Sequence, residues 1–93
     1  MKKHYRFTVG GTVQGVGFRL ATREAATHLG LDGWVRNCAD GRVEGCVAGD
    51  TAQLARFHEF LKLGPPAACV EEVAWEATGA ETDLHGFNIR RTW

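Results

Sequence analysis

The sequence predicts an α+β domain, an antiparallel sheet with two helices packed on one of its faces. Three observations predict it. Segments with the two-residue period of a half-buried strand alternate with segments carrying a helical stripe, in the order βαββαβ with a short extra C-terminal strand. An Asp-Gly pair lies between two extended segments near mid-chain, so those two should form a hairpin. The chain has 93 residues, 44% hydrophobic and 24% charged, which is enough for one core and too little for two.

Tyr5, Phe7 and Val9 alternate with Arg6, Thr8 and Gly10, the pattern of a first strand with one buried face. From Phe18, apolar or small residues recur at Ala21, Ala25 and Leu29 as one stripe of a helix. Gly30 follows, where a left-handed residue closes a helix. Gly33 to Cys38 and Arg42 to Val47 flank Asp40-Gly41, a pair suited to a type I′ turn. With Asp40 and Gly41 as the two central residues, Cys38 should oppose Val43 and Cys46 should oppose Val35. The two cysteines then lie on different faces, which excludes a disulfide between them. Asp50 should begin the second helix, with Gln53 completing a weak capping box and Leu54, Phe57 and Leu61 as the buried stripe. Gly64 and Pro65 end it. Val70 to Thr78, with Val73, Trp75 and Ala77 on one face, and Gly86 to Arg91, with Phe87 and Ile89 on one face, complete the strands. Short links around the hairpin make this a ferredoxin-like α/β sandwich, one domain over residues 1–93.

Composition narrows the function. Eleven Lys and Arg balance eleven Asp and Glu, which removes the polyelectrolyte argument for a nucleic-acid partner. Lys2, Lys3, Arg6, Arg19 and Arg23 all precede the first acid, Glu24, whereas Glu71, Glu72, Glu76, Glu81 and Asp83 share a stretch without Lys or Arg. This imbalance fits either a local anion site near the N-terminus or two ordinary solvated faces. No apolar run approaches the roughly 18 residues of a membrane span, and no signal-peptide core follows Met1, so no membrane partner and a cytoplasmic location are expected. Cys38, Cys46 and Cys69 form no C-x-x-C pair, and His4, His28, His58 and His85 lack metal-ligand spacing, so neither a metal nor a disulfide framework is expected.

The chemistry is concentrated in Gly10-Gly11-Thr12-Val13-Gln14-Gly15-Val16-Gly17-Phe18-Arg19, which puts four glycines among ten residues between the first strand and the first helix. Glycines allow inward-turned N–H groups ahead of a helix N-terminus, and such groups form a concave anion site. It is not a Walker A loop, because no Gly-Lys-Ser/Thr follows, and Leu20 stands where a dinucleotide fingerprint needs its third glycine. Arg19 falls in the first helical turn, where a cation is unfavourable unless an anion sits beside it. Taken alone, Arg19 could equally project into water and Asn37 could be a plain hairpin-edge residue.

Gly11-Thr12-Val13-Gln14-Gly15-Val16-Gly17-Phe18-Arg19, followed by Gly33-Trp34-Val35-Arg36-Asn37 and Asp40-Gly41-Arg42-Val43-Glu44, resembles the acylphosphatase family. Gly64-Pro65, Val70-Glu71-Glu72-Val73 and the ending Gly86-Phe87-Asn88-Ile89 extend the resemblance over nearly the whole chain. The resemblance implies an enzyme that hydrolyses the carboxyl-phosphate bond of acyl phosphates to a carboxylate and inorganic phosphate by direct in-line attack of water, without metal or cofactor. It implies that the backbone of Gly15, Val16, Gly17 and Phe18 binds the phosphoryl oxygens, that Arg19 clamps the same group, and that Asn37 orients the attacking water. Cys38 departs from the Ser or Thr that many members carry there, so a hydroxyl contact supporting Asn37 would become a weak thiol contact.

The expected partners are a small-molecule acyl phosphate and inorganic phosphate, and the expected state is a monomer. Rival readings are a noncatalytic acyl-phosphate or anion-sensing module of the same fold, a domain of a larger carbamoyl-transfer protein, and, weakest, an RNA-binding module. The initial Met1 and the closure of all elements by Trp93 favour a complete chain over the second. Trp34, Trp75, Phe57 and Phe60 read as packing residues and not as a base-stacking platform, since the ribonucleoprotein motifs are absent. His28 and His58 should lie on helix surfaces.

Overall fold

The computed structural model describes residues 2–79 and 84–92; Met1, Glu81, Asp83 and Trp93 lie outside the described residues. The elements are β1 (Lys3–Thr12), α1 (Phe18–His28), β2 (Asp32–Asn37), β3 (Val43–Gly49), α2 (Thr51–Leu63), β4 (Cys69–Ala77) and β5 (Phe87–Ile89). They form a sheet in the order β4-β1-β3-β2-β5. The ferredoxin-like arrangement is therefore present, but the sheet is mixed. β1, β2, β3 and β4 pair antiparallel, whereas β5 runs parallel to β2, with Gly33 beside Phe87 and Val35 beside Ile89. The cause is topological. β4 ends at the end of the sheet where β2 begins, and β5 starts from that same end and runs alongside β2 in the same direction.

The hairpin is one residue longer than the two-residue turn expected. Asn37 opposes Val43, Val35 opposes Gly45 and Trp34 opposes Cys46. The Gly41 N–H donates to the Cys38 carbonyl (3.1 Å) and the Cys38 N–H to the Arg42 carbonyl (2.8 Å), leaving Ala39, Asp40 and Gly41 as the loop. Gly41, at φ 96°, takes the left-handed step that closes such a three-residue loop. This shift overturns the expected facing of the cysteines, since Cys46 now opposes Trp34 and strand alternation puts Cys38 on the same face. What keeps the two thiols apart is distance: four residues of strand separate them, roughly 13 Å. All three cysteines are free.

One cluster forms the core on the helix-covered face. Phe7, Val9, Val35, Val43 and Val47 from the sheet meet Leu54, Phe57 and Leu61 of α2, the stripe expected from the sequence. The Phe57 ring lies 5.5 Å from Phe7 and 5.9 Å from Phe87, centroid to centroid, and is completely buried. In α1 the buried row is Phe18, Thr22 and Ala26, with Ala21, Ala25 and Leu29 only half buried beside it. The expected stripe was rotated by one position. An i, i+4, i+8 row of one large and two small side chains lets α1 settle close to the sheet. Gly30 (φ 71°) and the Leu31 N–H on the Ala26 carbonyl (2.9 Å) close the helix. At the other helix Asp50 makes no side-chain capping hydrogen bond, so the expected capping box with Gln53 does not form.

Trp34 is buried, as expected, but on the face of the sheet away from the helices. The guanidinium groups of Arg36 and Arg90 lie over its ring, 4.9 and 4.5 Å from the centroid, which leaves no aromatic surface open for base stacking. His58 is half buried against Trp75, the rings stacked at 4.3 Å, and not on an open helix surface; burial pushes its pKa down. No helix among the described residues is long and apolar enough to cross a membrane.

Candidate active site

The segment between β1 and α1 bends through two left-handed residues, Gly15 (φ 76°) and Gly17 (φ 78°). Any residue with a Cβ would be strained at both positions. Gly17 is the N-cap of α1, so no side chain caps the helix, and no acid lies in its first turn. The Gly17 carbonyl accepts the first helical hydrogen bond, from the Ala21 N–H (3.0 Å), which leaves the N–H groups ahead of it without helical partners. Arg19, half buried, sits in that first turn. Among the described residues it has no ion pair. Gly15, Gly17, Phe18 and Arg19 together line a hollow of about 270 Å³. The α1 dipole, the bare N–H groups and the guanidinium thus place positive charge around one concavity, and no ion pair among the described residues neutralises Arg19.

Asn37 ends β2 at the same end of the sheet. Its pairing with Val43 turns it toward the helix-covered face, with Val35. The Asn37 Oδ1 is buried without a hydrogen-bond partner, a state it shares with the Thr22 hydroxyl among the described residues. An amide oxygen so placed can accept a hydrogen bond from a donor outside the described residues. Asn37 is not among the residues that line the 270 Å³ hollow.

Gln14 joins the two halves. Its side-chain amide donates to the Cys38 carbonyl (2.8 Å) and to the Arg42 carbonyl (3.0 Å), so the glycine loop is fastened to the base of the β2–β3 turn directly after Asn37. This role was not legible in the sequence. The available signal was a long amide donor inside an otherwise glycine and valine loop, yet the partners are 24 and 28 residues away and are backbone groups, which no side-chain pattern reveals.

The acylphosphatase family model matches residues 5–89, which hold the loop, Arg19 and Asn37. The chain belongs to the acylphosphatase family. It is 49% identical over 88 residues to an acylphosphatase of Koribacter versatilis, covering 95% of this chain and 80% of that protein. Among solved structures, an acylphosphatase from Coxiella burnetii superposes with a TM-score of 0.91 at 39% identity, covering 96% of this chain and 93% of that one. The acylphosphatase from Bacillus subtilis gives 0.90 at 38% identity, covering 97% and 99%.

Against this family, the departure at Cys38 takes a definite form. Cys38 lines a separate hollow of about 320 Å³ with Thr8, Ala39, Asp40, Arg42 and Glu44, on the helix-free face of the sheet. Asn37 faces the other way, so the thiol does not sit beside the Asn37 amide as the sequence led us to expect. Burial, and then the carboxylates of Glu44 and Asp40, push the thiol pKa up and keep it protonated. Glu44 is also paired with Arg36, its partner across the hairpin, at 2.5 Å.

The cations that lie together in the sequence are separated in space. Lys2 and Lys3 stand at the start of β1 and the loop follows its end, some 30 Å away for a strand of this length. Lys2 pairs with Asp32 at 2.8 Å, holding that carboxyl below its usual range. Of the five N-terminal cations only Arg19 lines the loop hollow. Among the described residues, no group of three His, Cys, Asp or Glu side chains is placed to hold a metal ion.

Proposed function

We propose that this chain hydrolyses acyl phosphates to a carboxylate and inorganic phosphate, and that the loop, Arg19 and Asn37 carry the reaction. The observation that supports it most is the start of α1: an uncapped helix with no acid in its first turn, entered through two left-handed glycines, with Arg19 facing the same hollow. That is an arrangement waiting for an anion with several oxygens.

In this reading the N–H groups of Gly15, Val16, Gly17 and Phe18 hold the phosphoryl oxygens, and the Arg19 guanidinium gives two parallel hydrogen bonds to the same group at any physiological pH. Asn37 Oδ1 accepts a hydrogen bond from water and aims its lone pair at phosphorus. The water oxygen bonds to phosphorus as the bond from phosphorus to the carboxyl oxygen breaks, and that bonding pair leaves on the carboxylate. The proton of the attacking water passes to the phosphate product. A carboxylate is a good leaving group, so positioning and charge stabilisation suffice and no titrating side chain is needed.

The same reading takes the enzyme as a cytoplasmic monomer without a nucleic-acid partner, since one chain supplies the loop, Arg19 and Asn37 and its formal charge is zero. The test is release of phosphate from acetyl phosphate, with and without exhaustive chelation. Turnover that survives the chelator is expected. Binding of phosphate without turnover would leave an anion-sensing module, and recovery only on adding a metal ion would overturn the mechanism.

A further inference from the structure

The hollow at the loop has two kinds of wall. Gly15, Gly17 and Arg19 form the polar one; Leu20 and Ile89 form the other, with Val13 and Phe18 buried behind them. Leu20 is 47% exposed, and Leu63 is the only other large hydrophobic side chain among the described residues left so open. Ile89 is half buried. Apolar surface held in water at the mouth of a site is unfavourable until something covers it.

Connectivity supplies the occupant. With the phosphoryl group against the polar wall, the acyl carbon is two bonds from phosphorus and the rest of the acyl group must leave through the remaining space. In-line displacement places the incoming water and the leaving group on opposite sides of phosphorus. Asn37, which aims the water, does not line this hollow, so the hollow remains for the leaving group. Among the described residues Arg19 is the sole charged one lining the hollow, and with the phosphoryl oxygens on it a second negative charge on the acyl group finds no described partner there.

We infer that Leu20 and Ile89 form the seat of the acyl group and that the enzyme favours acyl phosphates with an uncharged aliphatic or aromatic acyl chain. The inference rests on the loop being the phosphoryl site. β5 is then a functional strand as well as an edge strand, because its parallel pairing with β2 is what brings Ile89 to the hollow.

The experiment measures kcat/KM for acetyl, butanoyl and hexanoyl phosphate, and by calorimetry the Kd of methyl-, butyl- and hexylphosphonate, which need no turnover. Each is done in the wild type, Leu20→Ser and Leu20→Met. In the wild type both series should improve by about twofold to fourfold per methylene, the upper figure being that for a fully buried methylene. Leu20→Ser should flatten both series and Leu20→Met should restore them; a half-exposed helix position tolerates either change, and circular dichroism checks the fold. A flat wild-type series, or an undiminished slope in Leu20→Ser, would overturn the seat. Acetyl phosphate turnover with flat phosphonate binding would reject the seat and keep the enzyme. Length-dependent phosphonate binding without turnover of any acyl phosphate would keep the seat and reject the enzyme.

Discussion

α2 is entered from Asp50, an extended residue (φ −72°, ψ 147°) whose carboxylate brings negative charge to the positive end of the helix. α1 is entered from left-handed Gly17, carries no acid in its first turn and places Arg19 there. Both helices pack the same face of the same sheet, and each buries a row of side chains against it. Neither has a side-chain cap or an acid in its first turn; their starts differ in the N-cap residue, Asp50 or Gly17, and in the cation Arg19 at α1. At α2 Asp50 brings a negative charge, while at α1 the chain adds a further positive charge, and in the proposed reading a bound anion supplies the counter-charge. A helix start that is locally unfavourable marks the place where binding free energy is gained.

The largest change should come from removing the cation at α1. Arg19→Ala should lower kcat/KM by about 10³ and weaken phosphate binding with it, because the guanidinium contacts the phosphoryl group in ground and transition states. Arg19→Lys should not rescue it, since an ammonium lacks the planar two-point fork. Steady-state kinetics and phosphate titration decide this; a variant that kept phosphate affinity would move the cradle away from α1.

Asn37→Ala should separate water aiming from anion binding. A fall in kcat of about 10² is expected with phosphate affinity near that of the wild type, the scale seen when one positioned donor to a transition state is deleted. If phosphate binding collapsed as well, with the variant still folded by circular dichroism, the water-aiming role would be withdrawn.

Gln14→Ala unfastens the loop from the β2–β3 turn and leaves Arg19 and Asn37 in place. We expect kcat to fall by roughly tenfold to a hundredfold, because misplacement by about 1 Å is costly in an in-line reaction. Wild-type kinetics in this variant would show that α1 alone positions the loop.

The smallest effect tests the comparison itself. Phosphate at about a hundred times its Kd should stabilise the wild type by about 2.7 kcal/mol, by mass action on the native state, and raise Tm accordingly. Asp50→Ala should cost only about 0.3–1 kcal/mol, the usual size of a charge at a helix terminus, and should keep both activity and the phosphate-induced rise in Tm. Loss of that rise in Asp50→Ala would mean that the anion binds at α2 instead.

The strand and helix order, the α2 stripe of Leu54, Phe57 and Leu61, and the glycine loop leading into Arg19 were legible in the sequence, because each is either a local periodicity or a contiguous motif; Asn37 stood out only through the family resemblance. The hairpin register was not, although Asp40-Gly41 marked the turn correctly. A two-residue and a three-residue loop fit the same dipeptide, and the choice between them depends on the pairing of β3 with β1 across the sheet. The α1 stripe missed by one position for a related reason, since the angle at which a helix seats on a sheet is set by the partner surface. The parallel pairing of β5, the Gln14 fastening, the burial of Trp34 under two arginines and the meeting of Leu20 with Ile89 joined residues far apart in the chain. The sequence by itself determined the element order and a glycine loop able to turn its N–H groups toward an anion, because that capacity resides in residue types and backbone freedom. Only the tertiary structure decided which apolar side chains stand across the hollow from them, because the packing of remote segments fixes distances that no local pattern contains.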